Sequence, residues 1–422
     1  MSEQARFEEQ VARHFRWNFV VNLIDAVFYS LGLNLVSQAT IMPLLVSELT
    51  DSKVLIGLIP ATYRVSYLLP QILTANYTER LRVNKPLVLL WGCVGERLPY
   101  LLIGLAVWGL ASPAPAWALA LFFLLWATTA ASNGTITPAW YSMIAKVIPV
   151  ERRGLWSGLG RGLGALLAIA GAKLSEAILT RWTFPANYAI CFVLAFVAVM
   201  ISFGGLALTR EPASPTVKPR TGHWEYFRRL PALLKRDHNY VRYLVARTIA
   251  AVGAMAAGFL MVYGKERVPG ALGQVGTLTA ILVGSQAAMN VVWGLIADRM
   301  GHKVVLVGAA VAMAGAAGVA LWVPSLAGLW MAFGLLGFSL SAESVSNMNI
   351  ILEFCAPEDR PTYIGLTNTL LAPGMLAPVL GGWLASRAGY AGLFVAAIVF
   401  SVLGGLVLAI WVREPRSVRS DA

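Results

Sequence analysis

The stretch Gly294-Leu295-Ile296-Ala297-Asp298-Arg299-Met300-Gly301-His302-Lys303 places a short charged turn between two long apolar segments. Each segment is long enough to cross a bilayer, because an apolar core of about 30 Å needs roughly 20 helical residues. An Asp-Arg pair followed by glycine and lysine does not sit in hydrocarbon, because burying charge there is costly. The turn is therefore predicted to lie at a membrane face.

The composition of the whole chain indicates a membrane protein. Of its 422 residues, 58% are hydrophobic and 13% are charged, whereas soluble domains average about half and about a quarter. The net charge of +12 comes from basic residues spread through short loops, so nucleic acid is not an expected partner. The cysteines Cys93, Cys191 and Cys355 have neither metal-ligand nor disulfide-framework spacing, and we expect no cofactor and no metal.

Apolar runs of spanning length predict twelve transmembrane helices, called spans 1 to 12 here. Their predicted limits are 17–46, 54–78, 86–110, 115–147, 153–180, 185–209, 240–266, 273–297, 303–323, 326–354, 361–386 and 390–412. The chain is thus predicted to be an all-α integral membrane protein. It would consist of a terminal segment 1–16, a six-helix bundle 17–209, a linker 210–239, a second bundle 240–412 and a tail 413–422.

Basic residues set the predicted orientation. Most of the 33 lysines and arginines lie in the N-terminal segment, the even-numbered loops and the C-terminal tail. The odd-numbered loops hold only Lys53, Arg181, Lys265, Arg267 and Arg387. Since positive residues favour the cytoplasmic side, we predict a multi-pass protein of the cytoplasmic (inner) cell membrane with both termini in the cytoplasm.

Short motifs recur at corresponding places in the two sets of six spans. Arg210-Glu211-Pro212 follows span 6, and Arg413-Glu414-Pro415 follows span 12. Glu79-Arg80 with Lys85 follows span 2, and Asp298-Arg299 with Lys303 follows span 8. The segments 149–152 and 357–360 form a third match after spans 4 and 10. Three matches at a nearly constant offset indicate a duplicated six-helix unit.

The turn at 294–303, together with this duplication, resembles the major facilitator superfamily (MFS) of transporters over essentially the whole chain. The resemblance implies the MFS fold, a cavity lined by helices 1, 4, 7 and 10, and alternating access about a midplane site. It also makes the loop residues Glu79, Arg80, Asp298, Arg299 and Lys303 candidates for a conformational switch. The first loop departs from the family pattern, because 75–82 lacks the family's glycines and has Glu79 in place of aspartate.

Span 1 carries a polar stripe. Asn18, Asn22, Asp25 and Tyr29 are spaced four, three and four residues apart, which places them on one helix face. A polar face in a lipid-bathed helix is expected to point into the bundle, so we predict that Asp25 and Tyr29 line the cavity. The alternative is that Asp25 forms a structural pair with Arg161 or Arg64.

Span 10 carries a second stripe, and Glu343 lies near its middle beside Asn347. One hypothesis makes Glu343 the proton-coupling residue or a ligand for a cationic or hydroxyl-bearing substrate. The alternative is a structural pair with Arg247. Asn347 is itself a candidate for the pathway, and the further candidates are Arg64, Asn133, Arg161, Arg247, Gln286 and Asn290.

Glu96 and Arg97 are also charged residues inside a span, and we interpret them as structural. Neighbours on an α-helix point about 100° apart, so the two are not expected to pair simply with each other.

The sequence contains no His-Glu-x-x-His and no phosphate-binding Gly-Lys-Ser/Thr loop, so we do not expect an enzyme. We predict a secondary active transporter of a small-molecule substrate, monomeric and surrounded by membrane lipid, with protons as the candidate coupling ion. Two alternatives stay open. One is a lipid or lysolipid flippase on the same fold, and the other is a membrane sensor that transports nothing.

Overall fold

The computed structural model describes residues 3–78, 80–215, 237–355 and 360–416, and within these ranges it contains helices and no β-strand. The first repeat contains α1 (Glu3–Leu35), α2 (Ile41–Leu49), α3 (Lys53–Thr78), α4 (Lys85–Trp91), α5 (Leu98–Leu110), α6 (Pro115–Val147), α7 (Val150–Arg181) and α8 (Ala186–Ala207). A π-helix, Gly92–Arg97, joins α4 to α5. The middle of the predicted linker, 216–236, lies outside the described residues, as do Glu79 and 357–359.

The second repeat contains α9 (His238–Gly253), α10 (Leu260–Arg267), α11 (Val275–Met300), α12 (His302–Trp322), α13 (Leu326–Phe354), α14 (Arg360–Leu371) and α15 (Ala377–Trp411). Short 3₁₀ segments at Ala254–Phe259 and Ala372–Leu376 join α9 to α10 and α14 to α15.

The helices account for the twelve predicted spans. Among the described residues, ten helical stretches are long and apolar enough to cross a membrane. The stretch Tyr363–Trp411 contains two spans, because Gly389 has a φ of 68° and interrupts the helix. Helix α3, whose composition is more polar, supplies span 2. The all-α fold with twelve membrane helices in two repeats is confirmed.

Span 1 differs from its predicted limits of 17–46. Helix α1 begins at Glu3 and ends at Leu35, and α2 begins at Ile41. The break has a local cause: Pro43 lacks an N–H and is tolerated only in a first helical turn. The Ser37 carbonyl closes the turn by accepting the N–H groups of Thr40 and Met42 at 3.2 and 3.1 Å.

The chain divides into two compact units. Unit 1 comprises Met1–Thr50 and Thr62–Thr221, and unit 2 comprises Asp51–Ala61 and Gly222–Ala422. The segment 51–61, which includes the start of α3, therefore packs within unit 2, although α3 belongs to the first repeat in sequence. Glycines explain this packing, because Gly57 lies directly against the Pro378 carbonyl and Gly382 against the Lys53 carbonyl. A β-carbon at either position would collide with backbone.

Packing within each unit repeats. In unit 1, α1 packs on α8, and α5 packs on both α6 and α8. In unit 2, α9 packs on α15, and α12 packs on both α13 and α15. A pair of hydrogen bonds repeats as well. The Asn18 side chain bonds the Arg210 backbone in both directions at 3.0 and 2.8 Å, and Asn239 bonds Arg413 at the same distances.

The glutamates of the two Arg-Glu-Pro motifs lie at helix N-termini. The Glu211 carboxylate accepts the N–H groups of Asn84 (2.9 Å) and Lys85 (2.7 Å), where α4 begins. It also accepts the Lys146 ammonium at 2.8 Å, and its side chain is fully buried. Because helix N-termini present unpaired N–H groups and partial positive charge, this carboxylate both caps α4 and ties it to α6.

Glu414 occupies the matching place in unit 2 but has different neighbours. Its carboxyl lies against Gly301, directly before α12. Burial and the nearby carboxylate of Glu353 raise the pKa of Glu414 to about 6. The Lys303 ammonium donates to the carbonyls of Ala409 and Val412, at 3.0 and 2.9 Å. The Lys303 backbone N–H and the charges of Lys303 and Arg416 partly offset the rise in the pKa of Glu414. The two repeats therefore share the position of the glutamate, but Glu414 lies near a second carboxylate, that of Glu353.

Candidate functional site

Unit 1 contains a cavity of about 350 Å³. Its volume falls within the range of small-molecule sites, about 300–1,000 Å³. Helices α1, α3, α6 and α8 and the π-helix contribute its lining, which consists of Asp25, Ala26, Tyr29, Tyr67, Glu96, Arg97, Asn133, Ile136, Thr137, Trp140, Tyr141 and Leu206. The cavity is thus polar and aromatic inside a largely apolar bundle.

The π-helix brings two consecutive charged side chains into this cavity. Pro99 has no N–H to close a helical bond to the Gly95 carbonyl, and the Leu98 N–H bonds Cys93 five residues earlier. Gly95 also lies directly against the Ser132 side chain, so α6 approaches here more closely than a side chain at this position would permit. The widened turn and the close approach place Glu96 beside α6.

Glu96 is buried, with 2% of its surface exposed. Its Oε1 accepts the Tyr29 hydroxyl at 2.7 Å and the Asn133 amide at 2.6 Å. Its Oε2 accepts an Arg97 N–H at 2.8 Å. Because charge-assisted hydrogen bonds are the strong ones, this carboxylate is held rigidly by α1, α6 and its own helix.

Arg97 joins Glu96 to Asp25. Its Nη2 lies 3.5 Å from Asp25 Oδ1, and Asp25 also accepts the Ser202 hydroxyl at 2.6 Å. Asp25 and Arg97 are both buried, at 5% and 3% exposure. One guanidinium is therefore shared by two carboxylates, and we call Asp25, Glu96 and Arg97 the ion cluster.

Three residues predicted from the sequence meet at this cavity: Asp25, Tyr29 and Asn133. Sequence reasoning missed Glu96 and Arg97 as members of the site. The interpretation that they do not pair is wrong, since they lie 2.8 Å apart. The spacing of about 100° between neighbouring side chains holds for an α-helix, whereas the backbone here is a π-helix. The sequence feature that could have indicated the π-helix is the presence of two glycines and a proline around the charged pair.

The partner of Asp25 also differs from the predicted alternative. Arg97 supplies the cation, whereas Arg161 and Arg64 are exposed side chains on α7 and α3. Both arginines lie outside the lining of the cavity. Periodicity alone could not choose among three arginines, because each lies in a different helix.

In unit 2, Glu343 of the polar stripe on span 10 forms an ion pair with Arg247. Glu343 receives two hydrogen bonds from Arg247, at 2.7 and 2.6 Å, and Arg247 also lies 3.4 Å from the Asn347 side chain. The pairing that the sequence left as an alternative is therefore present. Asn290 accepts the Ser341 hydroxyl at 2.7 Å, and Gln286 is half-buried on α11.

The candidate switch residues lie at one end of each unit. Arg80, Asp298 and Arg299 are exposed. The Asp298 carbonyl accepts an N–H of Arg416 at 3.0 Å, which ties the end of α11 to the chain after α15.

The described residues contain no group of three histidine, cysteine or acidic side chains that could hold a metal ion.

Several solved structures share this fold. A bacterial homologue of the human lysosomal transporter Spinster has a TM-score of 0.67 and 15% identity, with 98% of each chain covered. A mutant of the nucleoside transporter NupG has a TM-score of 0.68 and 12% identity, covering 93% of this chain and 98% of that one. A POT family transporter in complex with 5-aminolevulinic acid has a TM-score of 0.70 and 10% identity, with 96% of each chain covered.

No curated protein matches the sequence. The family model of the Major Facilitator Superfamily matches residues 26–268 and 249–422. Together these two matches extend over nearly all of the membrane helices. The chain is a multi-pass membrane transporter and belongs to the Major Facilitator Superfamily.

Proposed function

We propose that this chain is a secondary active transporter that moves a small solute across the cytoplasmic membrane by alternating access. The observation that carries the proposal is the ion cluster facing a cavity of about 350 Å³ within the membrane-crossing bundle. Charged side chains at membrane depth cost at least about 2.5–3.5 kcal/mol each in insertion measurements, so they persist mainly where they serve a pathway. Well-packed apolar residues would stabilise the bundle at least as well.

Protons are the proposed coupling ion, and Glu96 is the proposed coupling residue. Asp25 and Glu96 share a single guanidinium, so one carboxylate charge lacks a full partner. Such a carboxylate can take up a proton or a ligand when the cavity faces one side, and release it at the other. Glu343 remains a second candidate, but its charge is matched one to one by Arg247.

The proposed orientation places both termini in the cytoplasm. The excess of lysine and arginine in the even-numbered loops and at both ends supports it. The proposed switch is the pair of loops after α3 and α11, which include Arg80 and Asp298–Arg299.

Flux into proteoliposomes tests the proposal. Purified protein is reconstituted, and uptake of a labelled panel of amines, amino acids, nucleosides and short peptides is measured with and without an imposed pH gradient. We expect at least one solute to accumulate above the level in protein-free vesicles, and an ionophore that collapses the gradient to abolish that accumulation. Glu96→Gln should lose this gradient-driven accumulation.

A matched control is Glu176→Gln. It removes the same charge in unit 1 from a carboxyl that pairs with Lys173 outside the cavity. Its transport should equal that of the parent protein. Solute binding without flux would favour a sensor, and movement of a fluorescent lipid without solute uptake would favour a flippase. Accumulation that survives in Glu96→Gln would remove Glu96 as the coupling residue.

A further inference from the structure

The ion cluster contains one more acidic group than basic groups. Two carboxylates, Asp25 and Glu96, face one guanidinium, Arg97. The lining holds no other acidic or basic residue. With all three groups ionised, the sum is one negative charge in a site surrounded by apolar helices. A bound monocation would neutralise it, whereas a bound anion would increase it.

The three nitrogens of the Arg97 guanidinium already have acceptors around them. Its Nε donates to the Val199 carbonyl at 2.9 Å, and its Nη1 donates to the carbonyl of Gly92 at 3.0 Å and to Glu96. Its Nη2 is directed to Ser202, at 3.3 Å, and to Asp25. Four of these contacts are hydrogen bonds and the fifth is an ion pair, so every guanidinium nitrogen already contacts an acceptor. An anion entering the cavity would therefore compete with these acceptors for Arg97.

Aromatic side chains form much of the remaining wall. Tyr29, Tyr67, Trp140 and Tyr141 line the cavity. Tyr63 stacks on Tyr67 with ring centroids 6.1 Å apart and orders that face. Aromatic faces attract organic cations, with contributions of about 0.5–1 kcal/mol at exposed sites and about 2 kcal/mol where water is excluded. Inorganic cations prefer oxygen cages, and aromatic rings add little to such coordination.

We propose that this cavity binds an organic cation, a protonated or quaternary amine on a compact apolar body, with its charge at the ion cluster and its body against the aromatic wall. The inference rests on the proposed transport function and names the substrate class of that same site. The carboxylates of Glu96 and Asp25 attract the cation. Because Arg97 neutralises one of the two carboxylates, the site favours a ligand with a single positive charge. Tyr67 and Trp140 then favour an organic body over a bare metal ion.

Equilibrium binding to the purified full-length protein tests the inference. The probes are benzyltrimethylammonium, its neutral relative benzyl alcohol and the anion benzoate, and calorimetry measures the dissociation constant of each. We expect the cation to bind at least about tenfold more tightly than either relative. Glu96→Gln and Asp25→Asn should each weaken cation binding at least about tenfold, and Glu176→Gln should not change it.

A second pair of variants keeps the test informative if a cluster variant does not fold. Tyr67→Leu should weaken cation binding about two- to fivefold, the effect of one cation–π contact, and Tyr67→Phe should preserve it. Equal binding of benzoate, failure of the cation to bind at millimolar concentration, or unchanged cation binding in the variants would each overturn the inference. Flux of neutral or anionic solutes alone would support the transporter proposal and refute the organic-cation substrate. Cation binding without flux would support the organic-cation site and refute the transporter proposal.

Discussion

Replacing Glu211 by glutamine isolates the contribution of the capping carboxylate in unit 1. The carboxylate accepts two backbone N–H groups at the start of α4 and the Lys146 ammonium, and its side chain is fully buried. Glutamine has the same shape, but it carries no charge and directs an amide NH₂ toward one of these donors. Breaking a buried ion pair by removing one partner costs about 3–5 kcal/mol. Because one glutamine oxygen can still accept, we expect a loss of about 3 kcal/mol, at the lower end of that range.

Thermal unfolding in detergent, followed by tryptophan fluorescence, measures this loss. For a unit of 150–250 residues, 1 kcal/mol corresponds to about 2–4 °C, so Glu211→Gln should lower the Tm by about 6–12 °C. Lys146→Met should also destabilise, and the double variant should recover at least about 1 kcal/mol relative to additivity.

Glu414→Gln is the matched control, because Glu414 holds the corresponding position in unit 2 and its charged form is disfavoured there by burial and by the carboxylate of Glu353. At pH 7.5 it should be neutral or slightly stabilising, since burial and repulsion from Glu353 disfavour the charged carboxylate more than Lys303 and Arg416 favour it. Equal losses in the two variants, or a change of less than about 2 °C in Glu211→Gln, would refute this assignment of the capping charge.

Three further outcomes follow from particular contacts. The pKa of the Glu414 carboxyl is raised to about 6, so the folded state binds the carboxyl proton more tightly than the unfolded state does. This tighter proton binding stabilises the fold by about 1 kcal/mol after solvent screening; the stabilisation is complete below about pH 4.5 and is lost as pH rises through about 6. Glu414→Gln should flatten this part of the profile of Tm against pH. Glu343→Gln leaves the Arg247 charge without its partner and should cost about 2 kcal/mol, with a coupling energy above about 1 kcal/mol in a double-mutant cycle with Arg247→Met; additive effects would show that the pair is not coupled. Gly134→Ala should destabilise by about 1–3 kcal/mol, because its new methyl group meets a backbone carbonyl of α3, whereas Gly109→Ala, with open space around it, should be neutral or stabilising by up to about 1 kcal/mol.

Composition and periodicity were sufficient to predict the bundle. Apolar runs gave twelve spans because a bilayer imposes both length and hydrophobicity on each helix. The repeated Arg-Glu-Pro motif indicated the duplication, and Glu211 and Glu414 indeed lie at matching helix starts. The different charge environments of the two glutamates could not be predicted from the sequence, because Lys146 and Glu353 lie on other helices and are brought close only by the fold.

The candidate site was predicted only in part. The four-three-four spacing in α1 correctly grouped Asp25 with Tyr29, because helical geometry is local. The choice of Arg97 as the partner of Asp25 depends on a π-helix and on the close approach of α6 at Gly95. Both are tertiary effects on backbone hydrogen bonding, and hydropathy carries no information about them. The aromatic wall was missed for the same reason, since Tyr67 and Trp140 come from different helices.

Charge movement on a solid-supported membrane is the most direct test of whether the ion cluster is the site through which solute moves. Proteoliposomes containing the parent protein, Glu96→Gln or Glu176→Gln receive a concentration jump of benzyltrimethylammonium, and the transient current is recorded. We predict a positive current in the parent protein and in Glu176→Gln, and its loss in Glu96→Gln, with each current normalised to the amount of folded, reconstituted protein. The same current in Glu96→Gln as in the parent protein would contradict the assignment of the ion cluster as the transport site.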